Sequence, residues 1–309
     1  MTEKKKNDER GGLNRIIIGA VAVVILALGA GGYYLLQPQA LVRIAGGIVY
    51  TSERDGNLEV FVMSADGSGQ TNLTNHPADD YFPALSPDGT RIAFTSSRGG
   101  GLAIYLMNAD GSNVTQLTSG ETGDYHPAWS PDGTQIAFTS ERDESWEIFV
   151  IDAAGSDPVR LTNNDTIDAH PTWSPDGSQI AFETDRTGDT EVFVMNADGS
   201  GERNLSDFRF LDMSPTWSPD GSQIAFASNR DLDDGQIYVM DADGSNVRAL
   251  TDLNRFVVTD PVWSPDGSQI TFVVGDPERA THEIYVMDVD GSNLTQLTDN
   301  DISDADPDW

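Results

Sequence analysis

This sequence predicts an all-β fold: a six-bladed β-propeller of four-stranded blades, preceded by one transmembrane helix. Three observations carry that expectation. The string Ser-Pro-Asp-Gly recurs at Ser86–Gly89, Ser130–Gly133, Ser174–Gly177, Ser218–Gly221 and Ser264–Gly267, with start-to-start spacings of 44, 44, 44 and 46 residues. An apolar string at Glu59–Met63 returns at Ala103–Met107, Glu147–Ile151, Glu191–Met195, Gln236–Met240 and Glu283–Met287, six copies in all. The chain then ends on Trp309, the position that Trp129, Trp173, Trp217 and Trp263 hold in earlier copies, with Leu85 in the first.

Each element follows from its residues. In Ser-Pro-Asp-Gly, Pro presets φ, Asp favours the turn and Gly takes the left-handed position, so the string joins an innermost strand to a second one. Ile92-Ala93-Phe94 and its copies (Ile136–Phe138, Ile180–Phe182, Ile224–Phe226, Ile270–Phe272) form that second strand. The Glu59–Met63 family forms the third. Ala-Asp-Gly-Ser turns, as at Ala109–Ser112, lead to a short fourth strand ending in Leu-Thr. Nearly continuous apolar, β-branched and aromatic residues suit sheets covered on both faces, and a unit of this length with four strands is a propeller blade. Since the repeat starts at a second strand (Gly47–Ser52) and stops after an innermost one (Asp306–Trp309), both ends must share a blade. The final strand is expected to pair with Ile48–Ser52 and close the ring, which hides sheet edges.

Ahead of the repeats, residues 1–15 are polar and carry Lys4, Lys5, Lys6, Arg10 and Arg15. Residues 16–36 are uncharged and mostly apolar, and a helix of that length reaches ~31 Å, about a bilayer core. Tyr33 and Tyr34 stand at its far end, and the basic flank favours the cytoplasm. The expected organisation is a cytoplasmic tail (1–15), an anchor helix (16–36), a linker (37–47) and the propeller (48–309), held in the periplasm or outside the cell. Ala27-Leu28-Gly29 offers a cleavage site for the alternative, a signal peptide. Either reading exports the propeller.

Lys+Arg number 18 against 50 Asp+Glu. From residue 48 onward, 12 arginines and no lysine face 47 carboxylates, a net of −35. Such a surface repels phosphate backbones, so nucleic acid is excluded as a partner. The absence of cysteine excludes disulfides, thiol catalysis and Cys-ligated zinc. Asp241–Gly244 and Asp288–Gly291 share the Asp spacing of calcium loops, but position twelve is Asp252 or Asp299 rather than Glu, so they read as turns.

The strings Pro-x-Trp-Ser-Pro-Asp-Gly, Ile-Ala-Phe, Glu-Ile-Tyr-Val-Met and Gln-Leu-Thr resemble the WD40-like repeat of the TolB propeller family. The resemblance covers residues 48–309. It implies a periplasmic or surface location and, as in the family's namesake, binding of a peptidoglycan-associated lipoprotein and outer-membrane partners. The family's α/β domain is not found before the propeller; the hydrophobic segment stands there instead. Similar propellers precede the hydrolase domain of prolyl oligopeptidase-like enzymes, but no Gly-x-Ser-x-Gly occurs in this sequence.

Antiparallel connection places the Ser-Pro-Asp-Gly and Ala-Asp-Gly-Ser turns on one face and the variable loops on the other, where binding is expected. An Arg follows the second strand (Arg54, Arg98, Arg142, Arg186, Arg230; Asp276 breaks the set), and an Asp opens the innermost strand (Asp80, Asp124, Asp168, Asp212, Asp304; Val258 breaks the set). Architectural pairing is the expectation. The residue before the innermost Pro, expected at the channel mouth, reads Phe82, His126, His170, Ser214, Asp260 and Asp306. His126, His170, Asp260 and Asp306 are the candidate ligands for a divalent metal. Phe208, Phe210 and Leu211, with Phe256 and Val257 in the next loop and Trp146 apart, are the candidate partner-binding residues. These observations predict a non-catalytic, monomeric, membrane-anchored propeller without cofactor that binds a protein, peptide or cell-envelope partner. The alternative is a metal-dependent hydrolase or lyase acting at the channel mouth.

Overall fold

A computed structural model describes residues 42–142, 145–207, 209–230, 235–253 and 256–309. The expected cytoplasmic tail (1–15), the expected anchor helix (16–36) and the first half of the expected linker lie outside the described residues, as do Phe208 and the tip of the loop after Arg230. Among the described residues no helix is long and apolar enough to cross a membrane.

Six four-stranded antiparallel sheets form the ring. Five are built from consecutive strands; blade 2 runs Asp80–Leu85, Arg91–Ser96, Ala103–Asn108 and Thr115–Gln116. Blades 3 to 6 repeat that order, with innermost strands Asp124–Trp129, Asp168–Trp173, Asp212–Trp217 and Val257–Trp263. Blade 1 joins the two ends: Asp304–Asp308 pairs antiparallel with Gly47–Ser52, which is followed by Glu59–Ser64 and Thr71–Asn72. The predicted closure is therefore present, with Ser52 opposite Asp304 and Val49 opposite Asp308.

The core lies between blades. Trp173, Ile180, Phe182 and Met195 of blade 4 pack on Ala137, Ile148 and Val150 of blade 3. At the seam between blades 6 and 1, Ile48, Tyr50, Phe61 and Met63 meet Ile284, Val286 and Leu297, with Trp309 against them. Each fully buried large side chain contributes about 1.5–3 kcal/mol, so the repeated Ile-x-Phe is the main adhesive of the ring. The Ala-Asp-Gly-Ser turns touch the preceding blade. Gly244 has φ +90°, and a Cβ there would lie 2.6 Å from the Leu205 carbonyl oxygen. Both the turn and the close approach require glycine.

The Arg and Asp sets pair as expected, within each blade rather than between blades. Arg98 meets Asp80 at 2.5 Å, Arg142 meets Asp124 at 2.9 Å, Arg186 meets Asp168 at 2.8 Å and Arg230 meets Asp212 at 2.7 Å. Arg54 reaches Asp304 across the closure, at 2.8 Å. The five aspartates are buried. Each guanidinium also lies over two rings, as Arg142 does over Phe138 and Phe149 at 5.5 and 4.5 Å, which shields it from water.

The chain enters the ring on the side of the turns. Ile44 N–H donates to Gly89 O (2.9 Å), and the Ile44 side chain packs beside Val49, Ile92 and Phe94.

Candidate functional site

Every innermost strand carries proline at its fourth or fifth residue. Proline removes a ladder donor, so it is tolerated only on an edge such as the channel wall. The pairing register shifts at that point in all six blades, for example between Tyr81 and Ala84. The residue before the proline adopts left-handed geometry in each: Phe82, His126, His170 and Ser214 at φ 50°, Asp260 at 52° and Asp306 at 51°. A bulge of this kind re-aims a side chain, and six of them gather these residues around one axis.

All six line one central cavity of about 280 Å³. The other lining residues run toward the turns: the prolines, Ala84, Leu85, Pro87, Trp129, Trp173 and Asp308 among them. Tyr81 and Tyr125, on the variable side of the ring, do not line it. The expected position at the mouth of the variable face is thus corrected. The ring crosses the channel part-way down, and the space it bounds lies on the side of the turns. The physical reason is side-chain filling. Phe82 and His126 pack as tilted rings with centroids 4.0 Å apart, His126 and His170 likewise at 3.6 Å, and Ser214 Oγ donates to Asp260 Oδ1 at 2.8 Å.

The ring has two chemically different arcs. Phe82, His126 and His170 make an aromatic arc; Ser214, Asp260 and Asp306 make a polar one. His170 Nδ1 lies 2.9 Å from Glu183 Oε1. Burial works against the His170 charge, but Glu183, with Asp260 and Asp306 further off, outweighs it and raises the group to about 9. Burial also opposes the Glu183 charge, and His170⁺ still holds that carboxyl below its ordinary value. His126 is held well below the usual range by burial and by the neighbouring imidazolium. Its Nδ1 is closed to solvent and has no hydrogen-bond partner among the described residues. Asp306 is pushed up to about 7 by burial and by Asp260, although the Thr51 hydroxyl works the other way; the Phe82 N–H donates to Thr51 Oγ1 at 3.3 Å. Asp308, one layer lower, is pushed to about 7 by burial, with its Oδ2 accepting from Leu85 N at 2.6 Å.

Glu183 and Asp308 escaped the sequence reading. The signal for each was a departure from its repeat column. Glu183 stands where Thr51, Thr95, Thr139, Ala227 and Val273 stand, and Asp308 where Ala84, Ala128, Thr172, Thr216 and Val262 stand.

The candidate metal ligands are brought to one ring, yet no group of three or more His, Asp or Glu side chains converges as metal ligands among the described residues. His170 Nδ1 already faces Glu183.

On the variable face, Phe210, Leu211 and Val257 remain exposed, at 41%, 40% and 46%. Phe256 is half-buried and packs on the cluster holding Val258, Trp263 and Phe272. Trp146 is also half-buried and stacks on Tyr125, centroids 5.2 Å apart. Two residues missed in sequence extend the exposed set. Ile167 and Ile302 precede the innermost strands of blades 4 and 1, as Leu211 precedes that of blade 5. Exposed apolar residues therefore stand at the start of the innermost strand or within two residues ahead of it in four consecutive blades, 4, 5, 6 and 1.

The chain is similar in structure to TolB from Acinetobacter baumannii, with TM-score 0.75 and 23% identity over 85% of this chain. It spans 66% of that TolB, just under two thirds of its length. The putative TolB from Agrobacterium tumefaciens gives TM-score 0.68 and 24% identity over 82% of this chain and 88% of that one. An oligogalacturonate lyase in complex with manganese gives TM-score 0.60 and 18% identity over 81% of this chain and 73% of that one. At these identities the likeness concerns the fold. No curated protein matches the chain in sequence. The model of the TolB β-propeller domain matches residues 45–126, 120–210 and 200–309, which together span the whole ring, and the chain belongs to that family.

Proposed function

We propose that this protein is a non-catalytic, extracytoplasmic propeller that binds a protein or peptide of the cell envelope through its variable face. The observation that carries this reading is the run of exposed apolar side chains, Ile167, Phe210, Leu211, Val257 and Ile302, along one arc of loops on an otherwise strongly acidic ring. Of the eight exposed large apolar side chains among the described residues these five share one face, the other three (Val159, Val247 and Leu294) standing singly at the outer fourth strands, and apolar surface gathered in this way favours a partner. Membership of the TolB propeller family and likeness to two TolB structures support an envelope location. In this reading residues 16–36 anchor the chain. Ile44 enters the ring beside the turns, so the arc of loops faces away from the membrane.

Two measurements test the proposal. The chain has no cysteine, so single cysteines report cleanly. A Ser119→Cys variant should label with a membrane-impermeant maleimide from outside, and an Asn7→Cys variant should not. A photo-crosslinking residue at Leu211 should capture a discrete envelope protein, and one at Asp110 on the opposite face should capture none. Equal capture from both positions would defeat the assignment of the face.

A further inference from the structure

We propose that the central cavity is a binding site for a single organic cation, an ammonium or guanidinium group on a slim chain, entered from the side of the Ser-Pro-Asp-Gly turns.

Three carboxylates, Asp260, Asp306 and Asp308, line this one space. Elsewhere in the ring the buried aspartates that open five of the innermost strands have an arginine. These three have no arginine or histidine within ion-pair distance among the described residues. Their partners are neutral: Ser214 Oγ and Thr259 Oγ1 for Asp260, the Thr51 hydroxyl for Asp306, and Leu85 N–H for Asp308. The one cation in the wall, His170, is neutralised by Glu183. The wall is therefore short of positive charge; burial leaves Asp306 and Asp308 part-protonated near neutral pH, and a bound cation draws off those protons.

A second feature points to the same ligand. His126 lines the same space, and burial together with His170⁺ beside it keeps its ring neutral, so one imidazole nitrogen is an acceptor. An ammonium donates three hydrogen bonds and a guanidinium five, which matches walls made of acceptors. The Phe82 ring supplies an apolar and π-rich flank for the carrying chain. A volume of 280 Å³ holds about nine waters, enough for one extended side chain or a small amine and too little for a folded segment.

The entrance suits a cation as well. Asp88, Asp132, Asp176, Asp220 and Asp266 stand exposed in the turns on that side. Hydrogen bonds from their own turns hold Asp176 and Asp220 at about 2, so they stay ionised. A cleft rimmed by one sign of charge concentrates the opposite ion. Leu85 takes the place of tryptophan at the blade 2 edge, and Leu85 and Pro87 are part of the lining there.

Binding is measured on the full-length chain in detergent by calorimetry and by the imidazole C–H resonances of His126 and His170. The probes are putrescine, a short peptide with one internal lysine, and the same peptide with norleucine. The expected result is saturable binding of an amine probe, displacement of both imidazole signals, and no response to norleucine. Asp260→Asn should weaken binding at least tenfold, and Asp306→Asn likewise. Response to putrescine alone identifies a free amine as the source; response to the lysine peptide alone identifies a basic side chain of a partner. The wild-type resonances answer the question even if a variant fails to fold. Equal response to lysine and norleucine peptides, or no response to either amine, overturns the proposal. Neither result touches crosslinking from Leu211, which reports on the opposite face.

Discussion

Arg54 Nη2 lies 2.8 Å from Asp304 Oδ2, tying the first strand of the ring to the last across 250 residues of chain. Asp304 is fully buried and also accepts from Asn300 Nδ2 at 2.7 Å, while the Arg54 guanidinium covers Tyr50 and Phe61 at 5.6 and 4.7 Å. Removing one partner of a buried pair strands the other. Asp304→Ala should cost about 3 kcal/mol in urea unfolding. Arg54→Met in the same background should recover part of that loss, since the orphaned charge goes with it. A cost below about 1 kcal/mol would mean that closure rests on the apolar seam alone.

At Gly244, backbone geometry and contact coincide. Its φ of +90° is strained for any L side chain, and Leu205 O leaves no room for a Cβ. Gly244→Ala should destabilise by about 1–3 kcal/mol. Gly155→Ala, at the matching turn of blade 3, has the same left-handed φ but open space around it, and should cost less. Equal melting temperatures for the two variants would remove the close approach as a cause.

The His170–Glu183 pair sets a pH window. His170 titrates at about 9 in the folded chain, against an ordinary value near 6.5. Its contribution to stability is complete below that ordinary value and is lost as pH rises through about 9. Glu183 is depressed, so its contribution is present above the usual glutamate range and lost as pH falls. Glu183→Gln should lower the His170 titration seen by imidazole resonances. It should also flatten the loss of melting temperature above pH 7. An unmoved titration would show that Glu183 does not hold the proton there.

Asp308 behaves in the opposite sense to Glu183. Burial raises its carboxyl to about 7. Between about pH 4, where an unfolded aspartate titrates, and pH 7 the folded chain keeps a proton that the unfolded chain releases, so stability falls as pH rises. Asp308→Asn preserves the acceptor for Leu85 N and removes this slope. The variant should gain about 2–4 °C in melting temperature at pH 8 relative to its difference at pH 4. An identical pH profile for wild type and variant would contradict the assignment.

Much of this could be read before any coordinates. Turn chemistry in Ser-Pro-Asp-Gly, the Ile-x-Phe spacing and the unmatched end at Trp309 are local signals, and the strands, six blades and closure follow from them because each repeat builds the same unit. The five Arg–Asp pairs were legible for the same reason, since repetition marks architecture. Departures from the repeat were harder to use. Glu183 and Asp308 each break a column, but a substitution in one blade acquires meaning only when neighbouring blades supply its company.

The sequence by itself determined the blade count, the strand order and the residues that meet at the axis, because these depend on periodicity. The tertiary structure alone decided on which side of the ring the cavity lies, that Phe256 and Trp146 turn inward while Leu211 and Val257 stay out, and which carboxylates lack a cation. The physical reason is that bulge geometry, ring stacking and burial are set by side chains from different blades approaching within a few ångströms. No single repeat contains that information.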